Sequence, residues 1–248
     1  MSNLEGKTAL VTGGSRGIGR STALALAKAG AQVVVHFGTN EKEANAVVEE
    51  IAQTGGRAMA VQMDLALPDG AHKLAKKVRS IVGDRLDILV ANAGISKSAT
   101  IEDTTVEDFD KLFAVNVRAP FFLVQQFLPI LGNGSSVTLL SSLAARSVVG
   151  NISAYASTKG AVDTLVKHFA FILGPRGIRV NAVAPGVVAT DMSNFAKTED
   201  GRDFTLGIQA LKRIAHPDDI GGMIAFLSSD EARWITGDII HVDGGSKL

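Results

Sequence analysis

The sequence predicts a single-domain α/β fold, a doubly wound sheet of seven parallel strands with helices on both faces. Three observations predict it. Seven short runs rich in Val, Ile and Leu recur along the chain, and longer segments with apolar residues at helical spacing separate them. The runs also lack apolar/polar alternation, as strands do when both faces of a sheet are covered. No repeat, low-complexity stretch or Pro/Gly/Ser linker divides the 248 residues, so residues 1–248 are read as one domain.

In chain order the strands are expected at Thr8–Val11, 32–36, 58–63, 86–91, Ser136–Leu140, 179–183 and Ile239–Val242. Helical spacing marks 21–29, 41–52, Gly70–Val82, 106–112 and 154–173 between them. The last of these is apolar over well over half its circumference, so it is expected to pack on the sheet and on something else, a second subunit being the simple candidate. The rhythm breaks at 187–213, where Asn, Thr, Asp, Gly and Lys dilute the apolar residues after a strand end. Ligands of open α/β sheets bind beyond the carboxyl ends of strands, so this insertion reads as a substrate lid, with an ordinary surface loop as the alternative.

Composition narrows the function. Lys plus Arg equals Asp plus Glu at 25 each, which leaves no long-range field to attract nucleic acid or an anionic membrane. The absence of cysteine removes disulfides, thiolate catalysis and cysteine-ligated metals, and suits a reducing compartment. Residues 1–7 are polar and run into an apolar strand, and no segment approaches the ~18 apolar residues of a membrane span. A cytoplasmic protein is expected, and the Asn-x-Ser sequons at Asn133 and Asn151 are read as chance matches. The ending Ser246-Lys247-Leu248 spells a peroxisomal address, the minor alternative if the source has peroxisomes.

Directly after the first strand comes Thr12-Gly13-Gly14-Ser15-Arg16-Gly17-Ile18-Gly19, followed by a helical run expected to begin near Arg20. Glycines at 13, 17 and 19 let the backbone turn sharply and approach a diphosphate, which the free N–H groups and dipole of the next helix attract. Strand, glycine turn and helix opening a βαβ pattern give a Rossmann dinucleotide site. The same residues fit the G-x-S-x-G elbow of hydrolases, but only one strand precedes Ser15, and an elbow follows several. The second strand ends His36-Phe37-Gly38 without the carboxylate that commonly binds the ribose of NAD, and Arg16 stands where it can pair with a 2′-phosphate. NADP(H) is therefore favoured over NAD(H). A solvated Arg16 or a packed His36 would leave that preference undecided.

The helix from about Ala154 carries the chain's one tyrosine, Tyr155, with Lys159 four residues later on the same face. Ser142 lies thirteen residues before Tyr155, at the carboxyl end of the strand Ser136–Leu140. A carbonyl reductase needs a proton donor at the oxygen, and a phenol of pKa about 10 suits only if that value falls toward neutrality. A positive charge about 5 Å away, at an effective dielectric near 20, contributes ~3 kcal/mol, or roughly 2 to 2.5 pH units. Lys159 is expected to supply it, and Ser142 to orient the substrate oxygen.

Taken together the chain resembles the short-chain dehydrogenase/reductase family, and the resemblance spans essentially its whole length. Its motifs stand in order: Thr12 to Gly19, Asn92-Ala93-Gly94, Asn116, Ser142, Tyr155-x-x-x-Lys159, and Pro185-Gly186 with Thr190. The resemblance implies that Tyr155 is the general acid/base, that Lys159 lowers its pKa and binds the nicotinamide ribose, and that Ser142 positions the carbonyl. It implies further that Asn116 supports a water-mediated proton relay through Lys159. Asp64 and Leu65 would border the adenine, Asn92 and Gly94 the adenosine ribose, and Val188 and Thr190 the carboxamide. His36, Ser15, Ile18 and Ala93 join the expected cofactor contacts. Ala91 departs mildly, since many relatives carry a second asparagine there.

The expectation is thus an NAD(P)(H)-dependent oxidoreductase acting on a small-molecule ketone or the matching secondary alcohol, assembled as a homotetramer through the helices within 106–131 and 155–173. The alternatives are an NAD-dependent polyol or sugar dehydrogenase, and a non-catalytic dinucleotide sensor, which typically loses the tyrosine or lysine. The similarity is greatest to 3-oxoacyl-carrier-protein reductases. An acidic carrier partner would need a basic patch, for which Lys197, Arg202, Lys212 and Arg213 are candidates despite Glu199, Asp200 and Asp203 among them.

Overall fold

The structure is a computed structural model and describes residues 3–247. Leu248, the last residue of the expected address, lies outside the described residues, as do Met1 and Ser2. Strands β1 (Thr8–Val11), β2 (Gln32–Phe37), β3 (Arg57–Gln62), β4 (Ile88–Ala91), β5 (Ser136–Leu140), β6 (Arg179–Pro185) and β7 (Ile239–Val242) form one sheet in the order β3-β2-β1-β4-β5-β6-β7. Every pairing is parallel. The chain winds outward from β1 in one direction and from β4 in the other, so the crevice between their carboxyl ends is the switch point at which such sheets bind ligands.

The helices are α1 (Gly17–Lys28), α2 (Glu41–Gln53), α3 (Gly70–Val82), α4 (Val106–Phe113), α5 (Ala119–Phe127), α6 (Ser153–Leu173), α7 (Glu199–Ile208) and α8 (Pro217–Ser228). They divide the core in two. One layer packs Leu74 of α3, Leu123 of α5 and Val162 of α6 on one sheet face; the other packs Leu26 of α1, Val47 of α2 and Ile224 of α8 on the opposite face. Both layers explain why β4 and β5 are buried at every position, and why their sequences lack alternation.

Three local features set up the crevice. First, α1 begins at Gly17, three residues before the expected start near Arg20, so the last glycines of the turn are the first helical turn. Second, α8 lies so close to α1 that a Cβ on Gly221 would stand 2.4 Å from Ser21 Oγ, while that hydroxyl donates to Asp218 at 2.8 Å. Third, α4 and α5 join through a π-helical turn, Ala114–Arg118, centred on Asn116. Such one-turn bulges recur at functional sites. At the far, amino end of the sheet, buried Asp87 accepts the Thr8 N–H at 2.9 Å and Arg85 Nε at 2.7 Å, tying β1 to β4.

Candidate active site

The glycine turn leaves β1 at Val11 and crosses to β4. Gly13 and Gly17 adopt left-handed backbone, φ +63° and +54°, which an L side chain strains. Gly19 is required for a different reason, since its Cβ would stand 2.0 Å from the Gly13 carbonyl oxygen. Arg16 precedes α1 in extended backbone, and no side chain caps the helix or places a carboxylate in its first turn. By contrast α2, α4 and α7 have side-chain caps and acidic first turns. An uncapped N-terminus facing the switch point, with glycine backbone beside it, is the environment a diphosphate fits.

The loop after β4 and the end of β2 brace this turn. Asn92 Nδ2 donates to the carbonyls of Thr12 (2.8 Å) and Gly13 (3.1 Å), and the Ala93 N–H donates to Thr12 Oγ1 at 3.0 Å. From the other side, His36 Nδ1 accepts the Gly13 N–H at 3.2 Å and Nε2 meets the Met63 carbonyl at 2.9 Å. That pair of partners requires the neutral imidazole with its proton on Nε2. Burial pushes His36 down to about 4, against the opposing pull of the Met63 bond and the Asp64 charge. His36, expected among the cofactor contacts, is thus a buried support whose two nitrogens are both engaged by backbone. The ring is packed, so by itself it gives no preference between the two cofactors.

Arg16 is exposed, and its guanidinium lies 3.4 Å from Asp191 at the start of the 187–213 insertion. Thr190 touches the turn as well, its Cγ2 lying 3.2 Å from where a Gly17 Cβ would be. Ser15 and Ile18 are half-buried, Ile18 against the α1 side of the core. Asp64 is exposed and its Oδ1 accepts the Ala66 N–H at 2.8 Å, whereas the Leu65 side chain is buried in the core. Pro185 ends β6, and Gly186 lies against Asp243, where a Cβ would stand 3.0 Å from its Cα. Val188 is a core residue bridged to Ala215.

At the ends of β4 and β5 the three candidate reacting groups meet. Tyr155 and Lys159 share one face of α6, with Lys159 Nζ 5.5 Å from the centre of the Tyr155 ring. Ser142 lies near the Tyr155 hydroxyl, and its Oγ accepts the Ala144 N–H at 3.1 Å. Lys159 is buried and Nζ donates to the Leu140 carbonyl at 2.7 Å. Asn116 closes the floor: it accepts from Ile95 N–H and donates to Ile95 C=O, both at 2.9 Å, and donates to Thr158 Oγ1 at 3.1 Å. Gly94 lies between them, within 3.8 Å of Lys159 Nζ and 3.3 Å of Asn116 Oδ1 measured from its would-be Cβ.

The electrostatics correct one expectation. Burial pushes the Tyr155 phenol up, with the Ser142 hydrogen bond as the opposing influence, and burial pushes Lys159 down to about 8 against the charge of Asp163. The low-dielectric pocket penalises phenolate and ammonium alike, so in the protein alone Lys159 does not bring Tyr155 toward neutrality. Tyr155 is instead held as a neutral phenol, the form that can donate a proton.

Comparison with known proteins bears on what this arrangement is. A family model described as enoyl-(acyl carrier protein) reductase matches residues 13–247. A short-chain dehydrogenase from Burkholderia cenocepacia, solved in complex with NADP, superposes with a TM-score of 0.94 at 38% identity, covering 99% of this chain and 100% of that one. The chain belongs to the short-chain dehydrogenase/reductase family. Among its members, the angucycline C-6 ketoreductase LanV with bound NADP superposes with a TM-score of 0.94 at 40% identity, over 100% of this chain and 98% of that one. A hydroxynaphthalene reductase-like protein of Metarhizium majus is 40% identical over 257 residues, covering 98% of this chain and 96% of its own.

As a short-chain dehydrogenase/reductase the chain also shows what its motifs alone leave out. Thr158 is buried and its hydroxyl accepts from Asn116 Nδ2 at 3.1 Å, yet it looks like an ordinary helix residue in sequence. Asn40, beyond the end of β2, caps α2 by accepting the Glu43 N–H at 3.4 Å. Of the four basic residues considered for a carrier patch, Lys197 pairs with Asp191, Arg213 pairs with Asp219, and Lys212 donates to the Leu206 and Gln209 carbonyls. No helix among the described residues is long and apolar enough to cross a membrane.

Proposed function

We propose that this chain reduces a ketone on a fused-ring, largely apolar small molecule with NADPH. The observation that carries the reading is the Tyr155 phenol, held neutral by burial near Ser142 and beside the buried Lys159, at the carboxyl edge next to an uncapped, glycine-lined helix N-terminus. A dinucleotide held there would supply a hydride for the carbonyl carbon. Ser142 holds the carbonyl oxygen, and Tyr155 gives it the proton. Lys159 holds the ribose and passes a proton back to Tyr155, with Asn116 fixing the floor through which water connects to Lys159. Gly13, Ser15, Gly17, Ile18 and Gly19 cradle the diphosphate, Asn92 and Gly94 border the ribose, and Val188 and Thr190 the carboxamide. Arg16 leaves Asp191 to pair with the 2′-phosphate, which selects NADPH over NADH.

Support for the substrate class comes from LanV and the hydroxynaphthalene reductase-like relative, whose names carry polycyclic or naphthalene substrates. It comes also from the segment 187–213, proposed as the lid, where Met192, Phe195, Phe204 and Leu211 are exposed large apolar residues. A homotetramer is proposed on the apolar residues that α4, α5 and α6 leave at the surface, Val106, Phe121, Phe171 and Ile172 among them. Cytoplasmic residence is proposed over the peroxisome, since Ser246 of the expected address is buried, donates to Asp243, and accepts Arg146 on its carbonyl at 2.9 Å. Fluorescence titration with NADPH and NADH, followed by cofactor oxidation with fused-ring ketones and cofactor reduction with polyols, tests the reading. Tighter NADPH binding and turnover of the ketones are expected; tighter NADH binding with turnover of polyols alone overturns it.

A further inference from the structure

Directly behind the reacting groups lies a polar cluster to which no role has been given so far. Ser141, the residue before Ser142, is buried and donates its hydroxyl to Asp163 Oδ1 at 2.5 Å. Asp163 stands on α6 one helical turn beyond Lys159, hence on the same face. Lys159 in turn donates to the carbonyl of Leu140. Leu140, the last residue of β5, and Ser141 just after it are therefore gripped by two residues of α6 one turn apart, and the next residue in the chain is Ser142. Any slip of that junction moves Ser142 relative to Tyr155, since both are carried on the same two elements.

Charge points the same way as the hydrogen bonds. Asp163 is half-buried, and burial pushes its carboxyl up, opposed by the hydrogen bond from Ser141 just after β5 and by the charges of His241 from β7 and of Lys167 and Lys159 from α6 itself. Lys159 is buried beside the Tyr155 ring, the Leu140 carbonyl of β5 and the backbone at Gly94, and Asp163 stands one turn further along the same face of α6. Burial drives the lysine toward its neutral form, and the carboxylate of Asp163 opposes that. A buried ammonium with one hydrogen bond to a carbonyl keeps its proton only if a countercharge lies near.

We infer that Asp163 is a positioning residue: it supplies the countercharge of the buried Lys159 ammonium and, through Ser141, locks the β5 end that presents Ser142 against α6. The role rests on the reading of Lys159 given above, but the countercharge itself is testable without cofactor or substrate. Lysine labelled at Nζ and Cε, with the Lys159 signal assigned by its loss in Lys159→Met, reports this titration in the cofactor-free protein by NMR. The wild-type signal is expected to titrate at about 8. In Asp163→Asn, which keeps an acceptor for Ser141 but no charge, it is expected to move about one pH unit lower. Asp163→Glu is expected to restore it, and Ser141→Ala, which keeps the charge, to leave it near the wild-type value. The descending alkaline limb of kcat/KM should follow the NMR shift. An unmoved Lys159 titration in Asp163→Asn overturns the inference, as does an equal shift in Ser141→Ala. If the NMR signal moves and the kinetic limb does not, the countercharge stands and the catalytic assignment of Lys159 fails.

Discussion

Replacing His36 by asparagine tests the support behind the glycine turn and has a computable size. The imidazole is 2% exposed and is pushed down to about 4, whereas in the unfolded chain it titrates near 6.5. Between those values the unfolded chain binds a proton that the folded chain refuses, so stability falls as the pH drops through the window and is flat on either side. At 1.36 kcal/mol per pH unit, the full drop is about 3 kcal/mol. Protonation also turns Nδ1 from an acceptor into a donor facing the Gly13 N–H, so the turn loses its brace as the fold weakens. Asparagine can still accept from Gly13 through Oδ1 but leaves the Met63 carbonyl without its donor. Its stability at pH 7 should fall by about 2 kcal/mol. Urea unfolding of both proteins at pH 7, 5.5 and 4.5 gives the comparison. The wild type should lose stability more steeply than His36→Asn, the two curves crossing near pH 5 and NADPH affinity weakening in parallel. Parallel curves across the window would refute the argument, because the buried neutral imidazole would then contribute no linkage.

Other outcomes follow from the same geometry. Gly19→Ala brings a Cβ to 2.0 Å from the Gly13 carbonyl oxygen, and should raise the Kd for NADPH at least about tenfold while lowering stability by ~1–3 kcal/mol, read by fluorescence titration and urea unfolding. Arg16→Glu should weaken NADPH by about tenfold or more and NADH little, because only the 2′-phosphate meets the reversed charge. Asp87→Ala leaves the Thr8 N–H and Arg85 without their acceptor at the opposite end of the sheet, and should lower stability by about 2 kcal/mol with the NADPH Kd unchanged. Since Tyr155 is the chain's one tyrosine, ultraviolet titration of the cofactor-free protein reads it alone, and phenolate should appear only above the ordinary phenol value of about 10.

The parallel sheet was legible because its inner strands are buried on both faces, so their apolar runs survive in sequence, as in β4 and β5. The Ser142, Tyr155 and Lys159 set was legible because one helical turn and one strand end suffice to bring it together. What the sequence hid depends on partners far away in the chain. The start of α1 was missed because Gly17 and Gly19 are poor helix formers, and tertiary contact with Asn92 and Thr190 overrides that propensity. Helix α7 was absorbed into the lid because its surface is polar. His36 reads as a cofactor contact by position, and only the backbone at Gly13 and Met63 shows that its ring faces inward. The sign of the Tyr155 shift failed for a related reason: a charge estimate made at a fixed dielectric omits the desolvation that burial imposes on both partners.

The proton donor is the centre of the account, and a single-turnover comparison tests it most directly. Wild type and Tyr155→Phe, each saturated with NADPH, are mixed with a fused-ring ketone while the reduced nicotinamide absorbance is followed. The phenol-to-phenyl change removes one oxygen and is expected to leave NADPH binding intact while slowing its oxidation by a hundred- to ten-thousand-fold, roughly the range of general acid catalysis. An undiminished rate in Tyr155→Phe would contradict the account, whatever the cofactor preference turned out to be.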